Sequence, residues 1–248
     1  MAALVRLLAA VDIAAPAVRT AISRMVRQGW LEPIRTAEGP GYALTPRADR
    51  RLDDAHTRIY RTEVPAWDGR WHVLVLERPG ERSARERLAA GLGYLGYAAL
   101  TPTTWLSPRA HPDAPSVVAA EGARASTFRG AYDGDGAALA ARAWDLGAVA
   151  AAYDAFEIEA ARLLGDRRAE GDRAAFATRS ALVHEWRKFL FLDPGLPPEV
   201  LPPQWPGARA ARLFAEAAGD LLPAADRYVD ACLRGATPAR NLAAKERT

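Results

Sequence analysis

The stretch Ala17-Val-Arg-Thr-Ala-Ile-Ser-Arg-Met-Val-Arg-Gln-Gly-Trp-Leu31 decides the reading of the chain. At about 100° per residue, Val18, Ala21, Ile22 and Met25 share one arc with Val26 at its edge, and Arg19, Thr20, Ser23, Arg24 and Arg27 fill the other. One face is built to pack and the other to meet water or an anion. Pro16 suits the start of this helix because its missing N–H costs nothing there. Gly29 ends the helix, and Trp30-Leu31 begins an extended segment that Pro33 confines to a sheet edge. Ala37-Glu38-Gly39-Pro40-Gly41 forms a turn and Tyr42-Ala43-Leu44-Thr45 a return strand. Upstream, Leu4, Leu7, Leu8 and Val11 recur as one helical stripe of about three turns, broken by Asp12 to Ala15.

Helix, turn, helix with an arginine face, then hairpin is the order of a winged helix-turn-helix. In that arrangement the second helix enters the major groove, where arginine pairs with guanine edges or phosphates and Ser23 and Thr20 suit phosphate oxygens. An ordinary helical hairpin with a solvated arginine face fits the same residues. The hairpin that follows tips the reading toward DNA. A trihelical core places one more helix before this pair, so either an amphipathic helix precedes the chain's first residue or another part of the chain covers the apolar face of the first helix.

Charge supports the same end of the molecule. The 248 residues carry a formal net charge of +3. Residues 1–61 hold ten arginines against six acids, whereas the rest hold 23 basic and 24 acidic groups. Neutralising phosphates releases condensed counterions, and a local basic face is what that requires. One cysteine, Cys232, excludes a disulfide framework and a cysteine-based zinc cluster and suggests a reducing compartment. No apolar run reaches the roughly 18 residues that span a bilayer, so the chain is expected to be cytoplasmic with no membrane partner.

Beyond the hairpin, Asp53 to Val64 reads as a connector helix. Trp71-His-Val-Leu-Val-Leu76 reads as a buried strand, and Ser83 as the cap of a helix to about Leu95, with Glu86 completing a capping box. Strands over Tyr97 to Thr101 and Trp105 to Ser107, a helix from about Asp113 to Glu121 and a strand around Ser126 to Tyr132 give the order β-α-β-β-α-β of a ferredoxin-like domain. Asp133-Gly-Asp-Gly136 lacks the closing glutamate of a calcium loop and reads as a turn. Helices follow over Trp144 to Leu164, Arg173 to Phe191, Ala208 to Leu222 and Ala224 to Leu233, with the proline-rich Asp193 to Gly207 wrapping between the second and third. The expected class is α+β, with a winged helix over residues 1–52, a connector and ferredoxin-like domain over 53–133, and a helical C-terminal domain over 134–248.

Catalytic patterns are absent. There is no glycine-rich phosphate loop, G-x-S-x-G elbow or H-E-x-x-H pair, and His56, His72, His111 and His184 are scattered. The expectation is no enzyme, no cofactor and no metal. Two alternatives stay open: a metal-dependent nuclease on the ferredoxin-like domain, against which stands a first strand, Trp71 to Leu76, without an acid, and an interaction scaffold that does not bind DNA. His184, Trp186, Arg187 and Lys188 combine cations with an indole, a pairing that could hold an anionic aromatic ligand by charge and stacking. A solvated amphipathic helix accounts for the same residues.

Four ordered motifs carry a resemblance: Ala17 to Leu31, Trp67-Asp-Gly-Arg-Trp71, Thr104-Trp-Leu-Ser-Pro108, and Asp193-Pro-Gly-Leu-Pro197 with Leu201-Pro202 and Trp205-Pro-Gly207. With them the whole chain resembles the PaaX family of transcriptional regulators, repressors of phenylacetic acid catabolism. The resemblance implies a homodimer on double-stranded operator DNA, released by a coenzyme A thioester such as phenylacetyl-CoA. Arg19, Thr20, Ser23, Arg24, Arg27 and Arg35 are then expected to face DNA. Some of Trp144, His184, Trp186, Arg187 and Lys188 are expected to touch the effector, between the middle and C-terminal modules. The hairpin departs from the family pattern by carrying Glu38 with only Arg35 as a basic partner.

Overall fold

The computed structural model describes residues 1–36, 39–60, 66–77, 80–165 and 171–234. They form an α+β protein with a helical C-terminal region and two compact units. The first unit comprises Met1–Tyr60, Glu157–Trp186 and Arg212–Thr248; the second comprises Arg61–Phe156 and Arg187–Ala211.

In the first unit, α1 (Ala2–Leu8) passes into a 3-10 turn at Ala9–Val11, and Asp12, at φ 59°, turns the chain. The sequence stripe is thus real, but its last turn is tightened. α2 (Ala15–Arg27) starts one residue before Pro16. At its end Gly29, at φ 71°, lets the amide of Gly29 reach Val26 O and that of Trp30 reach Met25 O, a glycine-terminated C-cap. β1 (Leu31–Thr36) and β2 (Gly39–Leu44) pair antiparallel with Pro33 opposite Tyr42. A two-stranded sheet is all edge, so the missing amide of Pro33 breaks no central ladder. α3 (Pro46–Ile59) follows, capped by Thr45, whose Oγ1 accepts from Ala48 N.

Later helices bond to the first helix and to the turn after it. α8 (Asp172–Trp186) meets the Ala9–Val11 turn, where Arg173 donates to Ala9 O, and from α10 (Gly207–Leu233) Tyr228 donates to Arg6 O while Arg6 donates to Cys232 O. These bonds tie Arg6 and Ala9 to the later helices, while Leu4 stays exposed and no residue of α1 is fully buried.

In the second unit, β3 (Arg70–Glu77), β4 (Ala98–Ala99), β5 (Thr104–Ser107) and β6 (Arg124–Ala131) form an antiparallel sheet in the order β4-β5-β3-β6. The alternation of β3 splits its apolar residues between the two faces. Leu74 and Leu76 pack with Leu88 and Leu92 of α4 (Arg82–Tyr94) and Val118 of α5 (Ala114–Ala120). Trp71 and Leu106 pack on the other face with Leu139 and Ala140 of α6 (Gly136–Ala143) and with Leu196 and Val200. Asp135 caps α6 by accepting from Ala137 N and Ala138 N.

Several boundaries differ from the sequence reading. Ser83 is not a cap: α4 begins at Arg82, no side chain caps it, and the Glu86 carboxylate is engaged by Arg82 Nε at 2.7 Å. The strand expected over Tyr97 to Thr101 shrinks to two residues, because Tyr97 N turns back to Leu92 O to close α4 and the Thr101 to Thr104 turn begins at once. The helix expected to run to Phe191 stops at Trp186 and resumes as the short α9 (Phe189–Leu192). The two last helices are one, α10, which continues through Pro223. α7 (Leu146–Gly165) begins two residues after the expected Trp144. Of the connector, Arg61 to Val64 lie outside the described residues.

Candidate nucleic-acid interface

The interface begins with what α2 hides. Val18 and Ile22 are buried, and this fixes the helix's roll. Arg19, Thr20, Ser23, Arg24 and Arg27 consequently stand exposed on the outward face. The Thr20 hydroxyl donates to Pro16 O at 3.0 Å, so what it offers outward is its lone pairs. Met25, assigned by periodicity to the packing arc, is itself 37% exposed. Arg35 is exposed on β1 opposite Pro40. The turn residues Ala37 and Glu38 lie outside the described residues. Thr45 ties the hairpin's exit to the end of α2: its Oγ1 donates to Gly29 O at 2.8 Å and its amide to Trp30 O at 3.1 Å.

The five residues expected at an effector are divided between the units, with His184 and Trp186 in the first and Trp144, Arg187 and Lys188 in the second. Trp186 is buried in the first unit, where its Nε1 donates to Ile59 O at 2.9 Å and its ring stacks on Phe214 with centroids 4.8 Å apart. That indole has a structural employment no local pattern signals. His184, two residues earlier, is exposed. Arg187 and Lys188 are exposed in the break between α8 and α9. Trp144, in the second unit, is half-buried and stacks on Trp71 at 6.0 Å. Among the described residues, no group of three or more His, Cys, Asp or Glu side chains is arranged to hold a metal ion, and no helix is long and apolar enough to cross a membrane.

The motif residues of the second unit do structural work on one another. Trp67 Nε1 donates to Arg70 O and to Pro108 O, so the first motif is pinned to the end of the second. Asp68 accepts from Arg70 N and from Arg129 at 2.9 Å, with Gly69 at φ 76° between. In the proline-rich motif, Asp193 accepts from Gly195 N and from the Tyr153 hydroxyl, Arg109 donates to Gly195 O, and Leu196 enters the core under Trp71. Gly96, at φ 85°, could not carry a side chain: a Cβ there would lie 2.9 Å from Pro194 O. Tyr153 and Gly96, 40 or more residues from their partners in sequence, carry no local signal of this role.

With the geometry in place, the comparisons divide along the same chain. A family described as PaaX-like protein matches residues 1–48, one described as the PaaX protein central Cas2-like domain matches 64–138, and one described as the PaaX-like protein C-terminal domain matches 144–231. These are three parts of one protein class in their own order. The transcriptional repressor PaaX of Escherichia coli (strain K12) is 30% identical over 227 residues, 86% of this chain and 71% of that protein. A solved structure, the uncharacterized protein Rv0674 from Mycobacterium tuberculosis, is similar with a TM-score of 0.61 and 27% identity, over 93% of this chain and 90% of that one. The chain belongs to the PaaX family.

Proposed function

We propose that the chain is a transcriptional repressor, a regulator and not an enzyme, that binds operator DNA as a homodimer and is released by a coenzyme A thioester. The reading takes residues 1–52 as a winged helix-turn-helix with α2 as the helix that enters the major groove and β1-β2 as the wing. It takes 53–133 as a connector and ferredoxin-like domain, in keeping with the β-α-β-β-α-β order and the sheet order of β3 to β6. It takes residues 134–248 as the helical effector domain. The observation that carries the reading is the outward face of α2, where three arginines, a serine and a threonine are exposed above the buried Val18 and Ile22. The name of the Escherichia coli relative, a transcriptional repressor, supports the function.

For the effector, phosphate-bearing coenzyme A calls for arginine or lysine, and the exposed Arg187 and Lys188 supply it. The buried Trp186 is better suited to holding that segment in place than to stacking on a ligand. Selection of duplexes from a random library by the full chain, followed by displacement with phenylacetyl-CoA or free coenzyme A, tests both halves. The expected result is a sequence with two related half-sites and a loss of affinity of five- to 150-fold, about 1–3 kcal/mol of coupling, with the thioester alone. Recovery of no preferred sequence would overturn the DNA half. Indifference of a recovered complex to every acyl thioester would overturn the effector half.

A further inference from the structure

A second group of cations lies beside the α2 face. Arg47, Arg50 and Arg51 occupy the first two turns of α3 and are all exposed. At about 100° per residue they fall within one arc about 100° wide. At the same spacing Asp49 falls opposite that arc and Asp53 beyond its edge, while Asp54 falls on it, one turn after Arg50 and Arg51. This face also has a fixed place relative to α2. Thr45, the residue that caps α3, is bonded to the backbone of both Gly29 and Trp30, immediately after the last turn of α2 with its Arg24 and Arg27. Arg47 then lies over the Trp30 ring, 5.3 Å from its centroid. The indole limits the rotamers of the arginine while leaving it exposed.

Helix stability gives no reason for Arg47. Arg47 is the second residue of α3, at the end where the helix dipole favours acids and disfavours cations. A cation kept at the unfavourable end, steered by an indole and continuous with two more arginines and with the α2 face, fits an anionic partner outside the molecule. Single-stranded nucleic acid would want an open aromatic face for its bases, and the Trp30 ring is instead overlaid by Arg47.

We infer that the start of α3 is a second DNA contact, a clamp in which Arg47, held by Trp30, acts with Arg50 and Arg51 on duplex phosphates flanking the site read by α2. The inference rests on the DNA-binding reading above and extends it from one helix to two. The two elements have different tasks. Contacts from α2 to base edges give sequence preference, whereas α3 contributes affinity that is blind to sequence and sensitive to salt.

The test is a salt titration, from 50 to 200 mM, of the full chain on a duplex recovered by selection and on the same duplex with its sequence scrambled. The variants are Arg47→Ala, Arg50→Ala, Arg51→Ala, the three together, and Arg47→Lys. Each alanine should make the slope of log affinity against log salt shallower by about 0.9, equally on both duplexes, and lysine at 47 should restore most of it. Thermal unfolding of each variant separates this from loss of fold, since only the clamp moves the slope. The preferred sequence recovered by the triple variant should be unchanged. A full wild-type slope kept by a folded triple variant overturns this inference alone. No salt-dependent binding by the unmodified chain overturns the inference together with the reading beneath it.

Discussion

The Tyr153 hydroxyl donates to Asp193 Oδ2 at 2.5 Å across 40 residues, and the same ring stacks on Phe189 with centroids 4.1 Å apart and planes 8° from parallel. Burial, and then the negative charge of Asp193, push the phenol's pKa far up, so Tyr153 remains a donor at any physiological pH. Asp193 also receives the amide of Gly195 and so anchors the proline-rich wrap. Tyr153→Phe keeps the stack and deletes the donor. It should cost about 1–3 kcal/mol in urea or thermal unfolding and open the 193–206 segment to limited proteolysis.

A second prediction concerns pH. The Tyr97 hydroxyl lies 2.7 Å from His72 Nδ1 and accepts from His111 N, so its proton is directed at a neutral imidazole. Ser107 and Arg129 are the cross-strand neighbours of His72 on β5 and β6. Burial first, and then the charge of Arg129, lower the His72 pKa below the usual 6.5. The unfolded chain therefore binds the proton more readily than the folded one. Stability from this site is complete above about pH 6.5 and is lost as pH falls through the folded-state value. A series of melting temperatures between pH 7.5 and 5 should show a decline that His72→Gln flattens; an identical decline in the variant would show that other groups cause it.

Pro223 lies exposed inside α10, where it lacks the amide that would bond to the preceding turn. Pro223→Ala should raise the melting temperature, by an amount corresponding to at most about 3 kcal/mol. A decrease would mean that the local helix geometry around the proline is required by its neighbours.

Why α10 was not legible as one helix follows from the same residue. A proline inside a helical stripe is the strongest local stop signal, yet Ala217, Ala218, Leu221, Ala225, Tyr228 and Cys232 are all buried and keep helical spacing straight through it. Their packing outweighs the local cost. The break after Trp186 has the opposite origin, since Leu182 to Phe191 reads as continuous helix until the indole's bond to Ile59 O, 127 residues away, is known. At Ser83 a good local motif lost to a helix start one residue earlier, with Glu86 engaged by Arg82 instead. α2 was legible apart from Met25: the buried Val18 and Ile22, the exposed polar face and the glycine stop are all encoded within about fifteen consecutive residues. The exposure of Arg19, Thr20, Ser23, Arg24 and Arg27 was readable because it depends on the periodicity of a single helix.

Arg187 and Lys188 offer the next prediction. Both are exposed in the gap between α8 and α9, and the double variant Arg187→Ala with Lys188→Ala removes two cations without touching the buried Trp186 or Phe189. If they meet coenzyme A phosphates, calorimetry with phenylacetyl-CoA should show at least a tenfold weaker affinity, about 1.4 kcal/mol or more, with unchanged DNA binding in its absence. Equal affinity in the variant and the original chain would move the effector elsewhere.

The central claim is that the exposed face of α2 reads DNA. Its most direct measurement is a gel-shift titration of the selected duplex against the full chain and against Arg19→Ala, Arg24→Ala and Arg27→Ala, singly and together. Val18 and Ile22 carry the packing of this helix, so the variants should fold and melt as the original does. Arg24→Ala alone should cost about 1–3 kcal/mol of binding and relax the preference at one base position, and the triple variant should fall to the level seen with scrambled DNA. Undiminished affinity and unchanged sequence preference in the folded triple variant would contradict the claim.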